Sequence, residues 1–133
     1  VENAAIVTLN GAGLVDDTAE LKLEAGTELS TDGGGIIDVQ SKLKVEDSTI
    51  SVDVELYGEL KVEGASFLTA ELTTYPGSVV LFEGTAGGWL TVANGFEHSG
   101  EIAFTDSSTQ GMTVVTGPLV STANGSITTT LAV

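Results

Sequence analysis

Gly58-Glu59-Leu60-Lys61-Val62-Glu63-Gly64 is a strand written in two-residue steps. Leu60 and Val62 fall on one side of the extended chain, Glu59, Lys61 and Glu63 on the other, and a glycine closes each end. That is the period of a half-buried β-strand, not of a helix. Two earlier stretches repeat the wording: Glu20-Leu21-Lys22-Leu23-Glu24 and Lys42-Leu43-Lys44-Val45-Glu46. Val80-Leu81-Phe82-Glu83-Gly84 keeps the pattern downstream, and Ile102-Ala103-Phe104-Thr105-Asp106 follows it. Taken by their first apolar residue, the copies are spaced by 22, 17, 20 and 22 residues. A recurrence near 20 residues is the length of one coil of a solenoid.

Second strands lie between these markers. They are Ile36-Ile37-Asp38-Val39, Ile50-Ser51-Val52-Asp53-Val54, Phe67-Leu68-Thr69-Ala70, Leu90-Thr91-Val92 and Met112-Thr113-Val114. Ala4 to Leu9 reads as the first strand, ended by the Asn10-Gly11 turn signal. Two or three short strands per coil, joined by glycine turns, predict an all-β chain folded as a parallel β-helix of about six coils. An antiparallel β-sandwich is the alternative, because it too has short strands at regular spacing. The reuse of one Leu-Lys-Val-Glu string favours the solenoid, since a sandwich has no need to repeat a strand.

In-register stacking of the three clearest copies makes outward rows of Glu20-Lys42-Glu59, Lys22-Lys44-Lys61 and Glu24-Glu46-Glu63. The first row alternates in sign. The second and third each stack like charges ~4.8 Å apart, which neighbouring rows of opposite sign offset in part. Exposed pairs of this kind are each worth under about 1 kcal/mol.

At 133 residues the chain reads as a single domain, residues 1–133, or as a fragment or repeat unit of a longer extracellular chain. Aromatic residues make up only 5%, so Val, Leu, Ile and Ala must fill the core. Nineteen acidic residues against four lysines, and no arginine, give a formal charge of −15. Such a chain has too few cations to displace counterions from phosphates. Nucleic acid is thereby excluded as a partner, as are anionic membrane surfaces. No apolar stretch is long enough to insert into a membrane. There is no cysteine. The Thr-, Ser- and Gly-rich, lysine-poor composition predicts an extracellular or cell-surface location.

Leu90-Thr91-Val92-Ala93-Asn94-Gly95-Phe96-Glu97-His98-Ser99-Gly100-Glu101-Ile102 resembles the repeat of large secreted adhesin-type β-solenoids, haemagglutinin-like and autotransporter-passenger-like. Met112 to Leu119 and Asn124-Gly125-Ser126-Ile127 continue the likeness. It covers residues 88–131 closely and 20–84 loosely, with His98 standing where asparagine is more usual. The resemblance implies a non-catalytic module used as a stalk, an adhesin segment or a self-stacking fibre subunit. Its partners would be neighbouring repeats or further copies joined head to tail, and surface glycans.

The residues offer little chemistry to set against that expectation. His98 is the one imidazole, in a run with Glu97 and Ser99 whose side chains point apart, and reads as an exposed turn residue. Asp53 and Glu55 share an outward face with Ser51, at the ~7 Å spacing of a strand, near Tyr57. A glycosidase needs a carboxylate pair, but solvated surface acids are the plainer reading. Calcium is the better candidate ligand, because hard cations want clustered carboxylate oxygens. Its ligands would come from Asp16, Asp17, Asp32 and Asp38, with Glu46-Asp47 beside them. Trp89, the only tryptophan, reads as a core edge, an interface anchor or a sugar-stacking platform.

Overall fold

The computed structural model describes residues 6–9, 11, 13–16, 18–24, 26–32, 34–83, 88–105, 110–114, 119–121 and 126–130. Side chains are described among these as far as Phe104, Leu9 excepted. Every strand in it is parallel to its neighbours, and each turn of chain lays one strand on each of three faces. The first turn holds β1 (Ile6–Leu9), β2 (Gly13–Val15) and β3 (Glu20–Leu23), the second β4 (Glu28–Thr31), β5 (Ile36–Val39) and β6 (Lys42–Glu46). The third holds β7 (Thr49–Ile50), β8 (Asp53–Leu56) and the first half of β9 (Glu59–Leu68). The second half of β9 opens the fourth turn, which continues through β10 (Leu72–Thr74) and β11 (Val79–Phe82). Next come β12 (Gly88–Val92), β13 (Phe96–His98) and β14 (Glu101–Thr105), and finally β15 (Gln110–Val114), β16 (Leu119–Ser121) and β17 (Ser126–Thr130).

The first face stacks β1, β4, β7, β9, β12 and β15. The second stacks β2, β5, β8, β10, β13 and β16. The third stacks β3, β6, β9, β11, β14 and β17. This is a β-solenoid. The four turns from Glu28 to Phe104 are described almost throughout. The antiparallel sandwich is excluded, because a sandwich is built from antiparallel neighbours and none is found among the described strands.

The register expected from the repeats holds. Leu21 pairs with Leu43, Leu43 with Leu60, Leu60 with Val80, and Val80 with Ile102. Their side chains point inward with Leu23, Val45, Val62, Phe82 and Phe104. Phe82 and Phe104 stack with ring centroids 4.8 Å apart. Columns of Leu29, Ile50, Leu68 and Val92 from the first face, and Ile37, Val54, Leu72 and Phe96 from the second, complete the core. Each such side chain contributes about 1.5–3 kcal/mol by leaving water, so the stack itself supplies the stability that aromatic bulk provides elsewhere.

Corners are where the sequence departs from simple alternation. Ile50 to Val54, expected as one strand, is two: the chain turns at Ser51-Val52, between β7 and β8. Between the third and first faces the corner residue is left-handed in three successive turns: Gly26 at φ 77°, Asp47 at φ 46° and Gly64 at φ 64°. The amide of Gly26 donates to the Asp47 carbonyl at 2.7 Å, and that of Asp47 to the Glu63 carbonyl at 3.3 Å. Asp47 also places Oδ1 2.8 Å from the amide of Ala65, in the next turn. Just after this corner, Thr27, Ser48 and Ser66 point inward and are buried. Thr27 and Ser48 donate to the carbonyls of Glu24 (2.5 Å) and Glu46 (2.7 Å). Small hydroxyls thus satisfy main-chain oxygens that the bend takes out of the ladder.

The lysines all stand on the third face. Lys42 pairs with Glu59 at 3.5 Å, Lys44 with Glu63 at 3.1 Å, and Lys61 with Glu63 at 3.7 Å and Glu83 at 3.2 Å; Lys22 pairs with Glu24. The like-charge rows are therefore bridged by the neighbouring acidic row. Burial pulls the Lys61 ammonium down, but the Glu83 hydrogen bond and the charges of Glu83, Glu63 and Glu59 outweigh it and leave its pKa raised.

Candidate functional site

The three outer surfaces differ in chemistry, and the second is the acidic one. Alternation along β5, β8, β10 and β13 turns Asp38, Asp53, Glu55, Thr73 and Glu97 outward. Register stacks Leu14, Asp38, Glu55, Thr73 and Glu97 into one row. Ile36 and Asp53 stand beside it as a second row. Asp53, Glu55 and Glu71, with Ile36, Val54 and Thr73, line an open groove of about 150 Å³. Each central carboxylate already accepts a hydrogen bond. Asp53 Oδ1 takes the Glu71 amide at 2.9 Å, Asp38 Oδ1 takes Gln40 Nε2 at 2.6 Å, and Glu55 Oε2 takes the Tyr57 hydroxyl at 3.3 Å.

Tyr57 stacks on Tyr75 of the next turn, with centroids 4.2 Å apart and planes within 6°. The Tyr75 phenol beside it, then local desolvation and the nearby Glu55 and Asp38 charges, push the Tyr57 hydroxyl up to about 12. A phenol flanked by carboxylates resists becoming a second anion.

Asp53 and Glu55 thus share a face as expected, and Tyr57 is with them. Ser51 is not. It precedes the corner, on the first face, where its hydroxyl donates to Glu28 Oε1 at 2.9 Å. The calcium candidates are dispersed. Asp16 follows β2, Asp32 sits in the turn after β4, and Asp38 stands mid-strand on β5; Asp17 lies outside the described residues. The Asp32 loop is closed by Thr31 Oγ1, which accepts the Gly35 amide at 2.8 Å. Asp47 is engaged with Ala65. Among the described residues no three His, Cys, Asp or Glu side chains come together to hold a metal ion.

His98 is not an exposed turn residue. It is 1% exposed and faces the core at the end of β13, because Phe96, Glu97 and His98 alternate in, out, in. Its Nδ1 lies 3.0 Å from Thr74 Oγ1, directly across the register pair Thr74↔His98. That hydroxyl oxygen also accepts the amides of Ser99 at 3.1 Å and Gly100 at 3.3 Å. The same hydroxyl is within hydrogen-bond reach of Nδ1 and so ties the imidazole to the main chain of the next corner. The imidazole serves packing, 5.3 Å from the Phe96 ring, and is turned away from the acidic groove on the outer surface.

The first face carries two features the sequence did not separate. Phe67 and Trp89 project outward, 50% and 45% exposed. Around them stand Thr49, Ala65, Thr69 and Thr91. Glu28 is the one charged residue among the outward strand positions described on this face. No family model, curated protein or solved structure matches the chain.

Proposed function

We propose that this chain is a non-enzymatic structural and adhesive module, working outside the cell as a stalk, an adhesin segment or a fibre subunit. The observation that carries the reading is the constancy of the ladder. The registers of one turn are those of the next, so a further turn can be added without new geometry. The outermost strands β1, β2 and β3 have a single described neighbour each, as do β15, β16 and β17. A parallel strand edge can accept another parallel strand. Partners are then further repeats, or further copies, joined head to tail. The resemblance of residues 88–131 to secreted adhesin repeats supports the location and the adhesive role.

A tandem fusion of two copies tests this. In a repeat array the energy of each interface adds to that of each unit, so the fusion should melt in one transition above that of the single chain. Light scattering and electron microscopy of the single chain should show rods that lengthen with concentration. A fusion melting at the single-chain temperature, together with a monodisperse monomer at all concentrations, overturns the proposal.

A further inference from the structure

We infer that the first face is a binding track for a neutral glycan chain, read by Trp89 and Phe67. This deepens the adhesive half of the function proposed above and does not depend on head-to-tail stacking. Trp89 pairs in register with Ala65 on one side and Gly111 on the other, so neither directly opposed residue places bulk against its indole. Phe67 stands between Thr49 and Thr91. The two rings are diagonal neighbours on adjacent strands, about 7–8 Å apart at the backbone. A half-exposed aromatic ring flanked by hydroxyls suits a sugar whose C–H face is apolar and whose rim is polar.

Charge excludes an acidic ligand, and the one charged side chain described among the outward strand positions of this face, Glu28, already takes the Ser51 hydroxyl. The chain carries −15 and its lysines all lie on the third face, so an acidic polysaccharide meets only repulsion. Size selects a glycan over a second copy of the chain. Six strands at ~4.8 Å by about five residues at ~3.3 Å give roughly 400 Å². A stable protein interface takes about 800 Å² from each partner.

Trp89 is the only tryptophan, so its fluorescence reports the site directly. The full chain is titrated with neutral hexasaccharides of glucose, mannose and xylose in both α and β linkages. Saturable quenching or a blue shift is expected with at least one, read in parallel by calorimetry. Phe67→Ala should weaken it at least tenfold, and Trp89→Ala should abolish the calorimetric signal. Both side chains lie outside the core, and circular dichroism checks that the variants fold. Tyr57→Ala, on the second face, should bind as the parent does. No saturable response to any of the sugars overturns the inference, as does binding that survives Phe67→Ala and Trp89→Ala together. A concentration-dependent dimer lost in Trp89→Ala overturns it in favour of a second copy. None of these outcomes bears on the tandem-fusion result, so the stalk and the track fail separately.

Discussion

Replacing Gly64 by alanine tests whether the left-handed corner holds the turns in register. Gly64 has φ 64°, where an L-residue with a Cβ costs about 1–2 kcal/mol. Its Cβ would also stand 2.2 Å from Asp47 Oδ1 and 2.6 Å from Asp47 Cγ. The carboxylate must then swing out, giving up its 2.8 Å bond to the Ala65 amide, worth about 1 kcal/mol at an exposed site. Together these make Gly64→Ala cost about 2–3 kcal/mol. A chain of this size loses roughly 3–5 °C per kcal/mol, so the melting midpoint should fall by about 8–12 °C in differential scanning calorimetry. The Asp47→Gly background separates the two causes. With no carboxylate to displace, Gly64→Ala should there cost only the backbone strain, leaving about 1 kcal/mol of coupling between the two sites. An unchanged midpoint, or an equal cost in both backgrounds, refutes the corner mechanism.

The remaining predictions concern other contacts. Gly58→Ala sets a Cβ 2.0 Å from the Ser41 carbonyl oxygen and 2.6 Å from that of Gln40. Main chain cannot swing aside, so denaturant unfolding should show a loss of about 3 kcal/mol with no rescue by substituting Ser41. Thr74→Val removes the hydroxyl shared by the Gly100 amide and His98 Nδ1, for a loss of about 1–3 kcal/mol. Thr74→Ser should restore most of it; equal losses in the two variants refute the network. Tyr57 and Lys61 both have raised pKa values when folded. Their contributions are complete below the ordinary values near 10 and are lost as pH climbs through the folded ones, near 12 for Tyr57. Absorbance at alkaline pH should therefore show Tyr57 ionising late, and Tyr57→Phe should flatten the fall in stability from pH 10 to 12; an early ionisation refutes this. Calcium should raise the midpoint no more than magnesium does at equal ionic strength, because among the described residues no three carboxylates come together to hold a metal ion. A calcium-specific rise reversed by chelator contradicts that placement.

The third face was legible in the sequence because its strands alternate strictly and carry charge. Leu60-Lys61-Val62-Glu63 leaves one choice of inward side, and a slip of one residue against Leu43 would bury lysines. The first face was not, because its pattern breaks at the corner. After Gly64 the inward positions are Ser66 and Leu68, so Phe67 is turned to solvent by its register and not by its hydrophobicity. Alternation did hold the answer for His98, counted from Phe96. The adjoining Ser99-Gly100 suggested a turn one residue too early. Asp53 and Glu55 were placed by the same two-residue count, whereas Ser51 fell across a corner marked by neither glycine nor proline. Asp16 and Asp32 lie just beyond strand ends and Asp38 within a strand, and sequence spacing alone does not say which of them share a face.

The lysine ladder divides the molecule into a half whose acids are bridged by cations and a half without cations. Ammonium groups occur in the first three turns, at Lys22, Lys42, Lys44 and Lys61, whereas Glu71, Glu97 and Glu101 belong to later turns without a lysine of their own. Ion screening over about 8–10 Å lets each end of the spiral be felt separately by an arriving neighbour. Residues 1–63 nonetheless sum to −10 and residues 64–133 to −5, so like charge opposes any end-to-end approach until salt screens it.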